Sequence, residues 1–111
     1  MWSQHRLSSR SDFERLKKEG RVQTHSWFLL SYAPNTLSYN RYGFITGKRL
    51  GKAVTRNRTR RLLKEAVRHT HPHLSQGYDV VLVARSGLVG RSYAEVLHHV
   101  RKLFEQAGLA P

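Results

Sequence analysis

The run Tyr78 to Ala84 (YDVVLVA) constrains this chain more than any other stretch, because a continuously apolar strand is stable only with both faces covered. It places a central strand in a sheet with other elements packed on either side. Upstream lies a segment of a different kind, Lys48 to Arg68 (KRLGKAVTRNRTRRLLKEAVR), with nine Lys or Arg residues against one acid, Glu65. On a helix advancing about 100° per residue, Asn57, Arg60, Arg61, Lys64 and Arg68 fall within one arc, and Thr59, Leu62, Leu63, Ala66 and Val67 on the opposite one. One side is built to pack and the other to meet an anion. A solvated helix face normally mixes Glu with Lys, so a nearly one-sign stripe repels itself until a polyanion relieves it.

The remaining elements follow from caps and spacing. Ser11-Asp12-Phe13-Glu14 has the form of a capping box and Gly20 of a C-terminal stop, which predicts a first helix over about 12–19. Trp27 to Ala33 and Arg41 to Thr46 are rich in aromatic and aliphatic residues and read as a strand pair joined by a polar loop at 34–40. Gly47 and Gly51 bracket the approach to the basic helix, expected from about Ala53 to Thr70 with Pro72 barring its continuation. Ser92-Tyr93-Ala94-Glu95 is a second capping box, after which Val96, Leu97, Val100, Leu103, Phe104 and Ala107 keep helical spacing up to Gly108. The order is α-β-β-α-β-α. With no repeat, low-complexity tract or linker, residues 1–111 read as a single α+β domain with a modest core.

The net charge is +13, which leaves nucleic acid or an acidic membrane surface as partners. A membrane-binding helix needs large apolar residues free to insert, whereas Leu62, Leu63, Ala66 and Val67 are needed for the core. No run approaches the roughly 20 apolar residues of a membrane span, and MWSQHRLSSRSDF lacks an apolar signal core. Cys is absent, in keeping with a reducing cytosol. The expectation is a soluble, cytoplasmic protein.

Metal-dependent phosphodiester cleavage needs clustered carboxylates, but the acids are scattered: Asp12, Glu14 and Glu95 sit at helix starts and Glu65 lies among arginines. Metal-free cleavage of RNA needs two opposed histidines. His98 and His99 diverge by about 100° on their helix, and His69, His71 and His73 read as a solvated helix end. GKRLGKA lacks the Walker spacing. Arg outnumbers Lys, and planar guanidinium suits bidentate phosphate contacts and base stacking. By itself the chain reads as a binder of nucleic acid. A ribosomal protein or assembly factor would be served by the same basic helix, while an independent nuclease is opposed by the scattered acids and histidines.

GKRLGKAVTRNRTRRLLKEAVR, centred on Arg56-Asn57-Arg58, resembles the signature of the bacterial ribonuclease P protein component. Arg6-Leu7 with Asp12-Phe13 and Gly20, Phe28-Leu29-Leu30, Tyr78 to Arg85 and the last helix follow in the family's order and spacing. The resemblance implies a ribosomal protein S5 domain 2-like fold: a mixed sheet packed by helices, with a left-handed β-α-β crossover against the usual rule. It implies a subunit that joins a catalytic RNA, in a 1:1 ratio, to remove the 5′ leader of precursor tRNA. The chemistry is then carried by the RNA with Mg²⁺ in the RNA active site, with no cofactor, metal or catalytic residue in the protein. By position, Lys48, Arg49, Lys52, Arg56, Asn57, Arg58, Arg60, Arg61, Lys64 and Arg68 would contact RNA, and Phe13, Leu29 and Ser31 would line a leader cleft. Lys17 stands where the family commonly has an aromatic, Ser31 where it often has tyrosine, and Lys64 where it usually has arginine. Trp27, on the same face as Leu29 and Ser31 if the two-residue alternation holds, either joins Phe13 and Lys17 in that cleft or fills the core.

Overall fold

The computed structural model describes residues 5–111. Its helices are α1 (Arg10–Glu19), α2 (Ala53–Thr70) and α3 (Tyr93–Gln106), and its strands β1 (Arg21–Thr24), β2 (Phe28–Pro34), β3 (Arg41–Ile45) and β4 (Tyr78–Ala84). The basic helix and the apolar strand occupy the residues expected of them. β1 adds one element to the expected order, a short edge strand whose sequence, RVQT, is too brief and polar to betray itself.

The sheet order is β1-β2-β4-β3, antiparallel except for the parallel pair β3 and β4. The expected direct pairing of β2 with β3 does not form. β4 inserts between them, because a strand apolar on both faces takes the centre of the sheet. α2 is then the crossover of a β3-α2-β4 unit, which parallel neighbours require.

One face of the sheet is fully covered. Phe28, Leu30 and Tyr32 of β2, Val80 and Leu82 of β4 and Tyr42 of β3 pack with Leu63, Ala66 and Val67 of α2 and with Val96, Val100, Leu103 and Phe104 of α3. Each large apolar side chain buried here contributes about 1.5–3 kcal/mol. α3 starts as expected: Ser92 Oγ accepts from the Glu95 backbone N–H at 3.2 Å, and Glu95 Oε1 accepts from the Ser92 N–H at 3.1 Å. The box at Ser11 does not form. α1 begins at Arg10 with Ser9 as its N-cap and no side-chain cap bond; Ser11 pairs with the Ser9 hydroxyl, and Glu14 turns to Arg10 one turn away.

The other face is only half covered. α1 lays Leu16 and Phe13 over Ala33 and Val81, with Leu7 completing a second, smaller core. The sheet beneath is pared down to admit it. A Cβ on Gly43 would lie 2.7 Å from Phe13 Cζ, and one on Gly20 would lie 2.4 Å from Leu16 O and 2.8 Å from Ser31 Oγ. Gly20 is extended (φ −71°, ψ 147°), so it serves by close approach rather than by the left-handed turn expected of a helix stop.

Asp79 anchors this arrangement from the centre of the sheet. Its fully buried carboxylate accepts from Arg41 Nε and Nη2 at 2.9 and 2.8 Å, from Asn35 Nδ2 at 2.9 Å and from Arg15 Nη2. Burial would raise its pKa, but the Arg41 and Asn35 hydrogen bonds and the charges of Arg41 and Arg15 outweigh this and hold it below the ordinary carboxylate range. α1, β3 and the loop after β2 are thereby tied to one residue of β4. Asn40 does the same for the neighbouring loops, donating to Tyr42 Oη and Ser75 O and accepting from the Tyr78 N–H.

Candidate nucleic-acid interface

α2 presents the expected division. Thr59, Leu63, Ala66, Val67 and Thr70 are buried, while Asn57, Arg58, Arg61 and Lys64 are exposed and Arg56, Arg60 and Arg68 half-exposed. Thr59 satisfies its buried hydroxyl on the Thr55 carbonyl at 2.8 Å. Lys48 and Arg49 stand exposed on a 3-10 turn after β3, and Lys52 at the N-cap. Lys52 makes no side-chain cap bond and no acid lies in the first turn, so the unsatisfied N–H groups and the helix dipole add to the positive field. At the far end the field weakens. Glu65 accepts from Arg68 Nε at 3.1 Å and from its Nη2; that bond, foremost, holds the Glu65 carboxyl below its usual range. Arg68 therefore offers less net charge to a phosphate than Arg61 or Lys64.

Beside α2 the uncovered half of the sheet forms a groove. Strand pairing sets Thr24 beside Leu29, Leu29 beside Val83, and Val83 beside Ile45, so these four make one row across the sheet. Ile45 is 41% exposed. α1 walls the groove: Arg10, Phe13, Glu14 and Lys17 line, with Ser8 and Ile45, a depression of about 500 Å³. Phe13 also borders a second depression of about 780 Å³, between the segment His5 to Ser8, Tyr42 to Phe44 of β3, and Arg60 and Lys64 of α2. Thr24, Val83, Ile45 and Arg10 were not singled out from sequence.

Two expectations for this face change. Ser31 is buried under α1 and donates to Leu16 O at 3.4 Å, so it presents no surface to the groove. Trp27 does not share a face with Leu29. The chain bends at Ser26 and Trp27 before β2 begins, which carries the indole to the helix side. There the Arg91 guanidinium lies 4.2 Å from its ring centroid and His99 meets it edge-on at 4.6 Å. Of the five proposed cleft residues, Phe13 and Lys17 line one depression with Ile45, and Leu29 lies in the same row of the open sheet as Ile45. Of the histidines at the end of α2, His69 and His73 are exposed as expected, while His71 is half-buried with its Nδ1 paired to the Tyr42 hydroxyl at 2.7 Å; the exposed His69 Nδ1 pairs with the hydroxyl of Tyr93.

Among the described residues no three His, Cys, Asp or Glu side chains converge on a metal-sized site. Asp79, Asp12, Glu65, Glu14 and Glu95 each face an arginine. No helix is long and apolar enough to cross a membrane among the described residues.

Comparison with known proteins gives one answer. The ribonuclease P family model matches residues 1–108. The ribonuclease P protein component of Roseiflexus sp. (strain RS-1) is 38% identical over 106 residues, 95% of this chain and 87% of its own. That of Chloroflexus aggregans is 40% identical over 105 residues, 94% and 78% of the two chains. Among solved structures, the RNase P protein from Thermotoga maritima in complex with 1-(4-fluorophenyl)-2-thiourea has a TM-score of 0.74 at 28% identity, covering 92% of this chain and 95% of that one. A Staphylococcus aureus RNase P protein mutant with defective mRNA degradation activity has a TM-score of 0.91 at 23% identity, over 98% and 92%, a likeness of fold. With its basic crossover helix, its half-open sheet and relatives of this closeness along nearly its whole length, the chain belongs to the ribonuclease P protein family and is the protein subunit of a ribonuclease P.

Proposed function

We propose that this subunit joins the catalytic RNA through the basic face of α2, and holds the single-stranded 5′ leader of precursor tRNA in the groove between α1 and the open sheet. The observation that carries the reading is the pairing of two unlike surfaces on one small domain. A one-sign guanidinium face suits the sugar-phosphate backbone of a folded RNA. The groove offers one aromatic ring, Phe13, an apolar floor and the Lys17 ammonium, which suits an unpaired strand whose bases stack while its phosphates are neutralised. A helix serving only as an rRNA anchor has no need of the groove.

The protein positions and the RNA performs the hydrolysis. The Mg²⁺ that the reaction uses belongs to the RNA active site in this reading, in keeping with five of the seven acids being paired with arginines. The partnership is 1:1 and cytoplasmic. Purified protein incubated with precursor tRNA and Mg²⁺, with and without a matching ribonuclease P RNA, tests this. The protein alone should cleave nothing, and with the RNA it should lower the Mg²⁺ concentration needed for leader removal. Cleavage by RNA-free protein that survives repurification would make it a nuclease in its own right. An RNA whose processing is indifferent to the protein would leave only a free-standing RNA-binding module.

A further inference from the structure

Arg60 differs from its neighbours on α2 in being held at both ends of its fork. Its Nη2 donates to Thr46 Oγ1 at 2.7 Å, and its Nη1 donates to Asn57 Oδ1 at 3.2 Å. Thr46 directly follows β3 and is 7% exposed, so its hydroxyl is fixed to the sheet rather than to a mobile surface. Arg61 and Lys64, on the same helix face, are exposed and make no such bond among the described residues. A guanidinium carries five N–H donors; the brace uses two and leaves three. Arg60 itself lines the depression that it shares with Lys64, His5 and Arg6.

We propose that Thr46 is a positioning residue for RNA binding: it holds the Arg60 fork ready, from the sheet side, for a phosphate of the RNA that α2 engages. The inference rests on the reading of α2 as the RNA-binding face. An arginine free in solution must be ordered when it binds, and the ordering of one such side chain corresponds to about 2- to 13-fold in affinity. An arginine already tied to a buried hydroxyl is spared that loss. Thr46 thus acts on how tightly Arg60 binds, without changing how much charge the helix carries.

This separation gives the test. Binding of the full chain to a matching ribonuclease P RNA is measured over a salt series for wild type, Thr46→Val, Thr46→Ser, Arg60→Ala and the Thr46→Val/Arg60→Ala double variant. Thr46→Val keeps the shape and removes the hydroxyl; it should weaken binding by about 2- to 13-fold with the salt slope unchanged. Thr46→Ser should restore affinity. Arg60→Ala should weaken binding and reduce the slope by about 0.7 to 0.9, the loss of one phosphate contact. In the double variant Thr46→Val should add nothing. If valine shifts the thermal melt, Ser against Ala at position 46 reads the same hydroxyl. Wild-type affinity in Thr46→Val alongside a weakened Arg60→Ala overturns the positioning role and leaves the RNA face standing. The same is true if Thr46→Val costs as much without Arg60 as with it. If Arg60→Ala combined with Arg61→Ala binds like wild type at every salt concentration, the reading of α2 itself fails.

Discussion

Asp79→Asn should destabilise the domain far more than an ordinary surface substitution and should loosen α1 in doing so. The side chain is 0% exposed, and its partners Arg41 and Arg15 are 25% and 30% exposed. Removing one member of a buried ion pair costs about 3–5 kcal/mol, because the remaining charge stays desolvated. Here both guanidiniums reach solvent in part and can recover some hydration, and asparagine keeps one acceptor for Arg41. That places the expected loss near the lower end, about 3 kcal/mol. Domains of this size have about 5–15 kcal/mol in total. With a urea slope of about 1–3 kcal/mol/M, the midpoint should fall by about 1 to 3 M with little change of slope.

Arg15 belongs to α1, so the same substitution frees the wall of the groove. Affinity for leader-bearing precursor tRNA should fall more than affinity for mature tRNA in the reconstituted holoenzyme, at a urea concentration where the variant is still folded. Urea unfolding followed by circular dichroism checks the first effect and competitive binding the second. A loss below about 1 kcal/mol, the size of an exposed pair, would show that the Asp79 cluster does not anchor the fold and would refute this reasoning.

Other consequences can be measured separately. Gly43→Ala should push the Phe13 ring away from the sheet, since the added Cβ would sit 2.7 Å from its Cζ; binding of leader-bearing substrate should fall while binding of catalytic RNA holds, as read by paired titrations. Ser92→Ala removes the cap of α3 and should cost about 1 kcal/mol in thermal or urea unfolding. His71 and His25 are held below the ordinary imidazole range by burial and, to a lesser degree, by His5 and His99 respectively. Their neutral forms favour the fold, so this stability is present above about pH 6.5 and is lost as pH falls through the lowered values. Asp79, also lowered, contributes above the ordinary carboxylate value and loses its share on further acidification. Stability against pH should therefore decline in two stages, and substituting His71 by Gln should flatten the upper one.

What the sequence made legible was local. The amphipathic period of α2, its one-sign face and the apolar run Val80 to Ala84 of β4 are carried by residues a few places apart, and each was found where it was expected. The Asp79 cluster joins residues 38, 44 and 64 positions apart, so the acid read as one of a scattered set until the sheet brought Asn35, Arg41 and Arg15 to it. Trp27 failed for a related reason. Alternation assigns a face only while the chain stays in the strand, and a bend just before Phe28 is enough to turn the indole to the other side. The groove is the most distant from local pattern, because it is defined by what α1 leaves uncovered. Ser31 and Leu29 are two residues apart on one strand face, yet one lies beneath the helix and the other beside it. The length and seating of α1 decide which, through Gly20, Gly43 and the Arg15 to Asp79 bond. A change that shifts α1 along the sheet would therefore redraw the leader surface without touching a residue that lines it.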